Sequence, residues 1–275
     1  MNHDEIVKRH TIIGDQGSQY VKFKLKDGET IKSTLGSLIY ANGDIEKSEL
    51  VYNGIAKGFM NLLAGETFLY QKFTGKGKEG VITFGTNFIN SIICIKVYKD
   101  EEYRLSRNSF LVSTDNIAIG YTTMAKGIFQ IGQEEGFILP TAKCSSGEHG
   151  YIWLSSYGAF EKVVVEKGKK LIVNNGMFLA CKNEHKYDIE KLGKTFISSI
   201  GEGFGMAFTG PCNIFIQTKN INQLMKNTSI STEKKEDIGQ KFVQEAIGDA
   251  VGDMIGNAFR GGGELPRIRN TLRNL

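Results

Sequence analysis

Proline is almost missing from this chain: three residues in 275, beside 33 glycines. Turns must therefore be made by residues that tolerate a left-handed backbone rather than by residues that fix φ. Glycine stands well above its average of about 7%, and many of the glycines end short Ile/Val/Phe/Tyr-rich runs. That is the pattern of many tight turns between short strands. Histidine is scarce as well. His3, His10, His149 and His185 form no H-x-H pair, and a barrel-type metal site needs two histidines and a carboxylate on neighbouring strands. No metal or cofactor is expected. The cysteines Cys94, Cys144, Cys181 and Cys212 lie far apart without a C-x-x-C spacing, which argues against a redox or zinc motif and suits reduced thiols. No run of about 18 uncharged apolar residues exists, so no transmembrane helix is expected. The opening Met1-Asn2-His3-Asp4-Glu5 lacks a basic segment followed by an apolar run, and the expected location is cytoplasmic. A net charge of +4, with acidic and basic residues alternating, does not describe a broad nucleic-acid surface.

What the chain does have is repetition. Residues 27–40, DGETIKSTLGSLIY, match residues 167–180, KGKKLIVNNGMFLA, and a weaker copy, EEYRLSRNSFLVS, lies at 101–113. Gly36, Ser109 and Gly176 take corresponding places, 73 and 67 residues apart. A second marker recurs in step: GETFLYQKFTG at 65–75, EEGFILPTAKCSSG at 134–147 and GEGFGMAFTG at 201–210. Two markers with one period identify an internal threefold repeat. Strand periodicity runs through it. Tyr20-Val21-Lys22-Phe23-Lys24-Leu25 sets Val21, Phe23 and Leu25 on one face, and the more apolar run Ile92 to Tyr98 is expected to be buried on both faces or at an interface. The fold class is all-β. A single β domain over residues 15–222 contains repeats at about 15–90, 91–158 and 159–222, after an N-terminal segment 1–14. Residues 223–237 read as a linker, 238–260 as an amphipathic Gly-rich helix and 261–275 as a basic tail.

The residues quoted above, with YIWLSSYGAFEKVVVEKGKKLIVNNGMFLA at 151–180 and GEGFGMAFTGPCNIFIQTKN at 201–220, carry a likeness. From about residue 20 to about residue 224 the chain resembles the family named for altered inheritance of mitochondria, widespread in bacteria. The resemblance implies rolled β-sheet or sandwich units of the double-stranded β-helix class, like the tryptophan RNA-binding attenuator. It implies three such units around a pseudo-threefold axis, and it brings no established enzymatic activity and no catalytic residue. The middle unit departs from the pattern at Pro140 to Gly147.

Residue by residue, catalytic chemistry finds little support. Gly75-Lys76-Gly77-Lys78-Glu79-Gly80 lacks the phosphate-loop order, and Gly201-Glu202-Gly203-Phe204-Gly205 lacks the last dinucleotide glycine; both read as hairpin loops. Ser145-Ser146-Gly147-Glu148-His149 holds triad-type groups in one loop, but triads are assembled across a fold, so a polar turn is the simpler reading. No sequence feature lowers the pKa of Cys144 beside it. Glu66, Glu135 and Glu202 form a candidate ligand site if the three units bring them together, and otherwise serve their own turns. Arg260, Arg267, Arg269 and Arg273 are candidate anion-binding residues at the C-terminal end. A non-enzymatic binding or scaffolding protein, acting through a protein partner or self-association, is the leading expectation. A nucleic-acid or anion binder is the alternative.

The strongest interaction signal is the expected terminal helix. Val243, Ile247, Val251, Ile255 and Phe259 make one apolar stripe, with Gly248, Gly252 and Gly256 beside it. Each glycine costs helix propensity of about 1 kcal/mol relative to Ala, which close packing against a partner offsets. Lys241, Glu245, Asp249 and Asp253 argue against insertion into lipid. Docking on the chain's own β core and docking against a second copy remain equally open. Truncation after Glu236 is expected to lower stability or alter the mass seen by light scattering. Unchanged melting and mass with lost liposome binding would point to a membrane role instead.

Overall fold

The computed structural model describes residues 3–52, 69–123, 138–191 and 204–220. All of these belong to one unit, Met1–Met225; a second, Lys226–Leu275, contains the expected helix and lies outside the described residues. A short helix α1, His3–Lys8, and strand β1, His10–Ile13, come first. Three blocks of six strands follow. The first holds β2 (Tyr20–Leu25), β3 (Thr30–Thr34), β4 (Leu38–Asn42), β5 (Ile45–Tyr52), β6 (Leu69–Gly75) and β7 (Gly80–Phe84). The second holds β8 (Asn90–Tyr98), β9 (Glu102–Leu105), β10 (Phe110–Thr114), β11 (Ile117–Thr123), β12 (Ile138–Cys144) and β13 (His149–Tyr157). The third holds β14 (Phe160–Val165), β15 (Lys170–Asn174), β16 (Phe178–Lys182), β17 (Tyr187–Lys191), β18 (Phe204–Thr209) and β19 (Cys212–Gln217).

One pairing scheme recurs in every block, always antiparallel. The sixth strand pairs with the first and the third: β7 with β2 and β4, β13 with β8 and β10, β19 with β14 and β16. The fifth pairs with the second and the fourth: β6 with β3 and β5, β12 with β9 and β11, β18 with β15 and β17. Even the irregularity recurs. A register shift falls between Leu38 and Tyr40, between Phe110 and Val112, and between Phe178 and Ala180. Blocks are joined by pairing the second strand of one with the third strand of the next, β3 with β10 and β9 with β16. The outcome is two six-stranded sheets, β5-β6-β3-β10-β13-β8 and β11-β12-β9-β16-β19-β14. At the two ends stand a four-stranded sheet, β1-β2-β7-β4, and a three-stranded one, β15-β18-β17.

Two of the three core clusters form where blocks meet. Val21, Phe23 and Leu25, the apolar face expected of β2, are fully buried. With Phe73 and Phe84 of the same block they pack against Leu111, Val112 and Trp153 of the second. Trp153 meets the Phe23 ring edge-on at a centroid distance of 4.7 Å. Ile6 of α1 closes this cluster. A second cluster joins Leu105, Phe110, Ile152 and Leu154 to Leu179, Ala180 and Phe215 of the third block.

Two sequence markers now have causes. The Phe-Thr-Gly close recurs because a Cβ on Gly75 would lie 2.2 Å from the Lys26 carbonyl oxygen, and one on Gly210 would lie 2.1 Å from that of Glu166. No side chain fits against a backbone carbonyl at that range. The other marker needs a correction. Ser109 is not the counterpart of Gly36. Its backbone N–H and hydroxyl both bond to Ser106 O, as those of Ser37 do to Thr34 O. Asn108, at φ 60°, is what answers Gly36 at φ 80°. Asn is among the few residues that tolerate this region, so the identity changed while the conformation stayed. Gly176 lies in a 3-10 turn, Asn175–Met177, and is not left-handed; a Cβ there would meet the Asn220 amide at 2.0 Å.

Gly36→Val and Asn108→Val should each destabilise by about 1–3 kcal/mol, since a β-branched residue is forced to positive φ. Asn108→Gly should leave the thermal midpoint nearly unchanged, and Gly176→Val should cost less than Gly36→Val because the Asn220 side chain can turn away. Thermal melts of the four variants check the ordering.

Candidate functional site

The recurring hairpins fix which residues correspond between blocks. Gly28 N donates to Gly75 O at 2.9 Å as Gly168 N does to Gly210 O at 3.2 Å, and Glu29, Glu101 and Lys169 N donate to Lys26, Tyr98 and Glu166 O. In this frame Lys32, Arg104 and Ile172 hold one position on the second strands. The third strands align Leu38-Ile39-Tyr40 with Phe110-Leu111-Val112 and Phe178-Leu179-Ala180 through their shared register shift.

At both joined boundaries a cation crosses from one block to the turn after the third strand of the next. Lys32 is buried, and its Nζ donates to Ile117 O at 2.5 Å and lies 3.9 Å from Asp115. Lys72 holds the same carboxylate at 2.8 Å. Burial pulls the Lys32 ammonium down to about 8, with Asp115 opposing and Lys72 adding to the shift. Arg104 does the same work one block later. Its Nη2 donates to Asn183 O at 3.2 Å and Asn183 Oδ1 at 2.7 Å, its Nη1 to His185 O at 3.3 Å, and its guanidinium sits 4.9 Å from the Tyr187 ring centroid.

The third boundary is not made. β15 and β4, the strands that would pair there, have no ladder to each other. On β4, Leu38, Ile39 and Tyr40 are 40%, 55% and 42% exposed. Their counterparts Phe110, Leu111 and Val112 are at 2%, 0% and 0%, and Phe178, Leu179 and Ala180 at 1%, 0% and 0%. On β15, Ile172 stands 45% exposed where the other blocks place a cation. Apolar side chains thus stand at a strand edge that no described strand pairs, and this edge is the candidate interaction site.

A polar cluster marks the outer face of β13. Asp4 accepts a hydrogen bond from the Tyr151 hydroxyl, His149 Nε2 lies 2.9 Å away and Lys96 Nζ 3.7 Å away. The Tyr151 bond first, then His149, holds the Asp4 carboxyl down to about 2. These contacts pin α1 to the second block. They also separate the groups of the Ser145–His149 loop: Ser145 Oγ donates to Asn116 O at 2.8 Å, while His149 faces Asp4. Asn116 Nδ2 holds the loop shut through Ser146 O and His149 O, both at 2.8 Å. Burial pushes the thiols of Cys94 and Cys181 up to about 12. Among the described residues no group of three or more His, Cys, Asp or Glu could hold a metal ion, and no helix is long and apolar enough to cross a membrane.

Residues 10–219 match the family described as Mitochondrial biogenesis AIM24. The chain belongs to that family. Within the solved structures it is similar to the crystal structure of protein SPYM3_0169 from Streptococcus pyogenes, at a TM-score of 0.62 and 22% identity. That likeness covers 80% of this AIM24-family chain and 98% of the other, and it concerns the fold. No curated protein matches the chain.

Every site residue expected from the sequence lies outside the described residues. Glu66, Glu135 and Glu202 lie in 53–68, 124–137 and 192–203, the segments between fourth and fifth strands, outside the described residues. So do Val243, Ile247, Gly248, Val251, Gly252, Ile255, Gly256 and Phe259, and Arg260, Arg267, Arg269 and Arg273. The β4 edge, by contrast, reads in the sequence as an apolar strand and not as a site. Its composition is that of β10 and β16, which are covered.

Lys32 gives the boundary a pH signature. Its folded pKa, about 8, lies below the 10.5 of an ordinary lysine, so between these values the unfolded chain holds a proton that the folded chain has lost. Stability from this group is fully present above 10.5 and is lost as pH falls through 8. Buried thiols pull the other way at alkaline pH, so the comparison must be made against a variant. Wild type should gain on Lys32→Met between pH 8 and 10.5, by on the order of 3 kcal/mol at most. Parallel urea-unfolding curves for the two proteins across that range would remove the assignment.

Proposed function

We propose that this AIM24-family chain is a non-enzymatic binding or scaffolding protein that works through protein–protein contact in a reducing, cytoplasmic setting. The observation that carries the reading is the β4 edge, exposed and unpaired by any described strand. Exposed edge strands are ordinarily blunted by charge, proline or a covering segment, because their free N–H and C=O groups template further pairing. β4 reads Leu38-Ile39-Tyr40-Ala41-Asn42, with neither a charge nor a proline. Its register shift offers no protection, since β10 and β16 carry the same shift and are paired. Full burial of a large apolar side chain is worth about 1.5–3 kcal/mol; three partly exposed ones leave a useful share of that for a partner.

Further support comes from the groups that would do chemistry. The thiols of Cys94 and Cys181 are held far from the thiolate form, the Ser145 hydroxyl is bonded to a carbonyl, and all four cysteines are unpaired. Binding of RNA with a steep salt dependence would favour the anion-binding alternative, because phosphate neutralisation releases counterions.

Ile39→Lys tests the reading. Native protein and this variant, each isolated with its associated proteins, should differ in association while their melting temperatures agree, since Ile39 is exposed. Turnover in a metabolite screen, with association equal in both, would overturn the proposal.

A further inference from the structure

Three Asn–Gly pairs occur in the chain, at 42–43, 53–54 and 175–176, and the middle one lies outside the described residues. The pair is chemically special because glycine has no Cβ to hinder its own amide nitrogen. That nitrogen can attack the side-chain carbonyl of the asparagine before it. Whether it does so depends on what holds the two groups, and the two described pairs are held in opposite ways.

Asn42 is the last residue of β4, opposite Val81, and Gly43 opens the turn that follows at φ 83°. Both are exposed. Among the described residues nothing takes up the Gly43 N–H, and nothing bonds the Asn42 side-chain amide. Nucleophile and electrophile are adjacent, and both are free. Asn175-Gly176 is held shut instead. Within its 3-10 turn Gly176 N donates to Asn174 Oδ1 at 3.0 Å, and Gly176 O accepts from Gln217 Nε2 at 3.0 Å. In the ladder shared by the third strands, Thr114-Asp115 and Lys182-Asn183 take the place of Asn42-Gly43. Neither Thr114 nor Lys182 has a side-chain carbonyl to attack. The reactive pair therefore falls on the one third strand whose outer edge no described strand pairs.

We infer that Asn42 is a self-modification site, where deamidation ends the uncharged state of the β4 edge. The Gly43 nitrogen loses its proton to water and bonds to Asn42 Cγ, while the bond from Cγ to the side-chain nitrogen breaks and ammonia leaves. Water then opens the resulting succinimide ring at one carbonyl or the other, giving aspartate or isoaspartate. Water is the only co-reactant, and nothing is oxidised or reduced. The consequence for the edge rests on the scaffold reading. β4 carries no charge, and charge is one of the devices that blunt an edge strand. Deamidation supplies a carboxylate on the strand's last residue, one glycine away from Asp44. Isoaspartate also inserts a methylene into the main chain, which breaks the period that strand pairing requires. The edge is thereby closed to partners as the chain ages, with no enzyme involved.

Peptide mapping of the full chain by mass spectrometry, after incubation in warm and mildly alkaline buffer, tests this. Asn42 should gain the mass of a carboxyl in place of an amide, divided between aspartate and isoaspartate. Asn175 should convert more slowly, by roughly two- to tenfold for the Gly176 hydrogen bond alone. In urea both positions should convert at matching rates, because both pairs are then free. Aged wild type should hold fewer associated proteins than fresh wild type. Fresh and aged Asn42→Gln should not differ, since its longer side chain closes a ring far more slowly. An unconverted Asn42 in the folded chain, or one that only keeps pace with Asn175, overturns the inference; the scaffold reading then stands provided that Ile39→Lys still loses its associated proteins. Conversion at Asn42 with equal association of fresh and aged wild type overturns the effect on the edge. If Ile39→Lys keeps its associated proteins too, the scaffold reading fails and the effect on the edge falls with it.

Discussion

The sixth strand of each block is paired along both edges, and most of the architecture follows from that demand. β7, β13 and β19 each hold a first strand on one side and a third strand on the other. Because the third strand carries one extra residue in its ladder, it bends locally. Its free edge is presented to the second strand of the neighbouring block. Main-chain hydrogen bonding thus builds both the block and the means of adding another. Two of the apolar clusters then form across the boundaries, as the contacts of Phe23 with Trp153 and of Leu105 with Ala180 show, while a third lies almost wholly within the last block.

That arrangement explains why the polar groups at the boundaries are so well used. A cation taken from water must find acceptors or lose its proton. Lys32 finds the Ile117 carbonyl and a carboxylate shared with Lys72; Arg104 finds two carbonyls, a side-chain amide and an aromatic face. Arginine spreads its charge over a planar fork that several acceptors can share, whereas lysine meets such a site as a point charge. The two boundaries are therefore chemically different joints built on one backbone ladder.

Local periodicity made the strands legible in the sequence. The alternation of β2 put Val21, Phe23 and Leu25 inside, and the recurring glycines located the hairpins. Where conformation survives a change of residue, reading fails by a step, as it did at Ser109 in place of Asn108. The edge at β4 was invisible for a different reason. Leu38-Ile39-Tyr40 and Phe110-Leu111-Val112 are equally apolar, and only the presence of a neighbouring strand separates a covered edge from a bare one. Such a neighbour comes from a distant part of the chain, so no local pattern reports it. The same holds for Lys32 and Arg104, which look like solvated charges until the next block closes over them.

The burial of Trp153 at the first boundary has a spectroscopic consequence. It is the chain's one tryptophan, and its ring is sealed between Phe23, His10 and Tyr151. Intrinsic fluorescence therefore sees one joint of the molecule, while the far-ultraviolet circular dichroism of the backbone weighs every sheet. Coincidence of the two signals on denaturation would mark the blocks as a single cooperative body; a gap between them would measure how far the first joint parts ahead of the second.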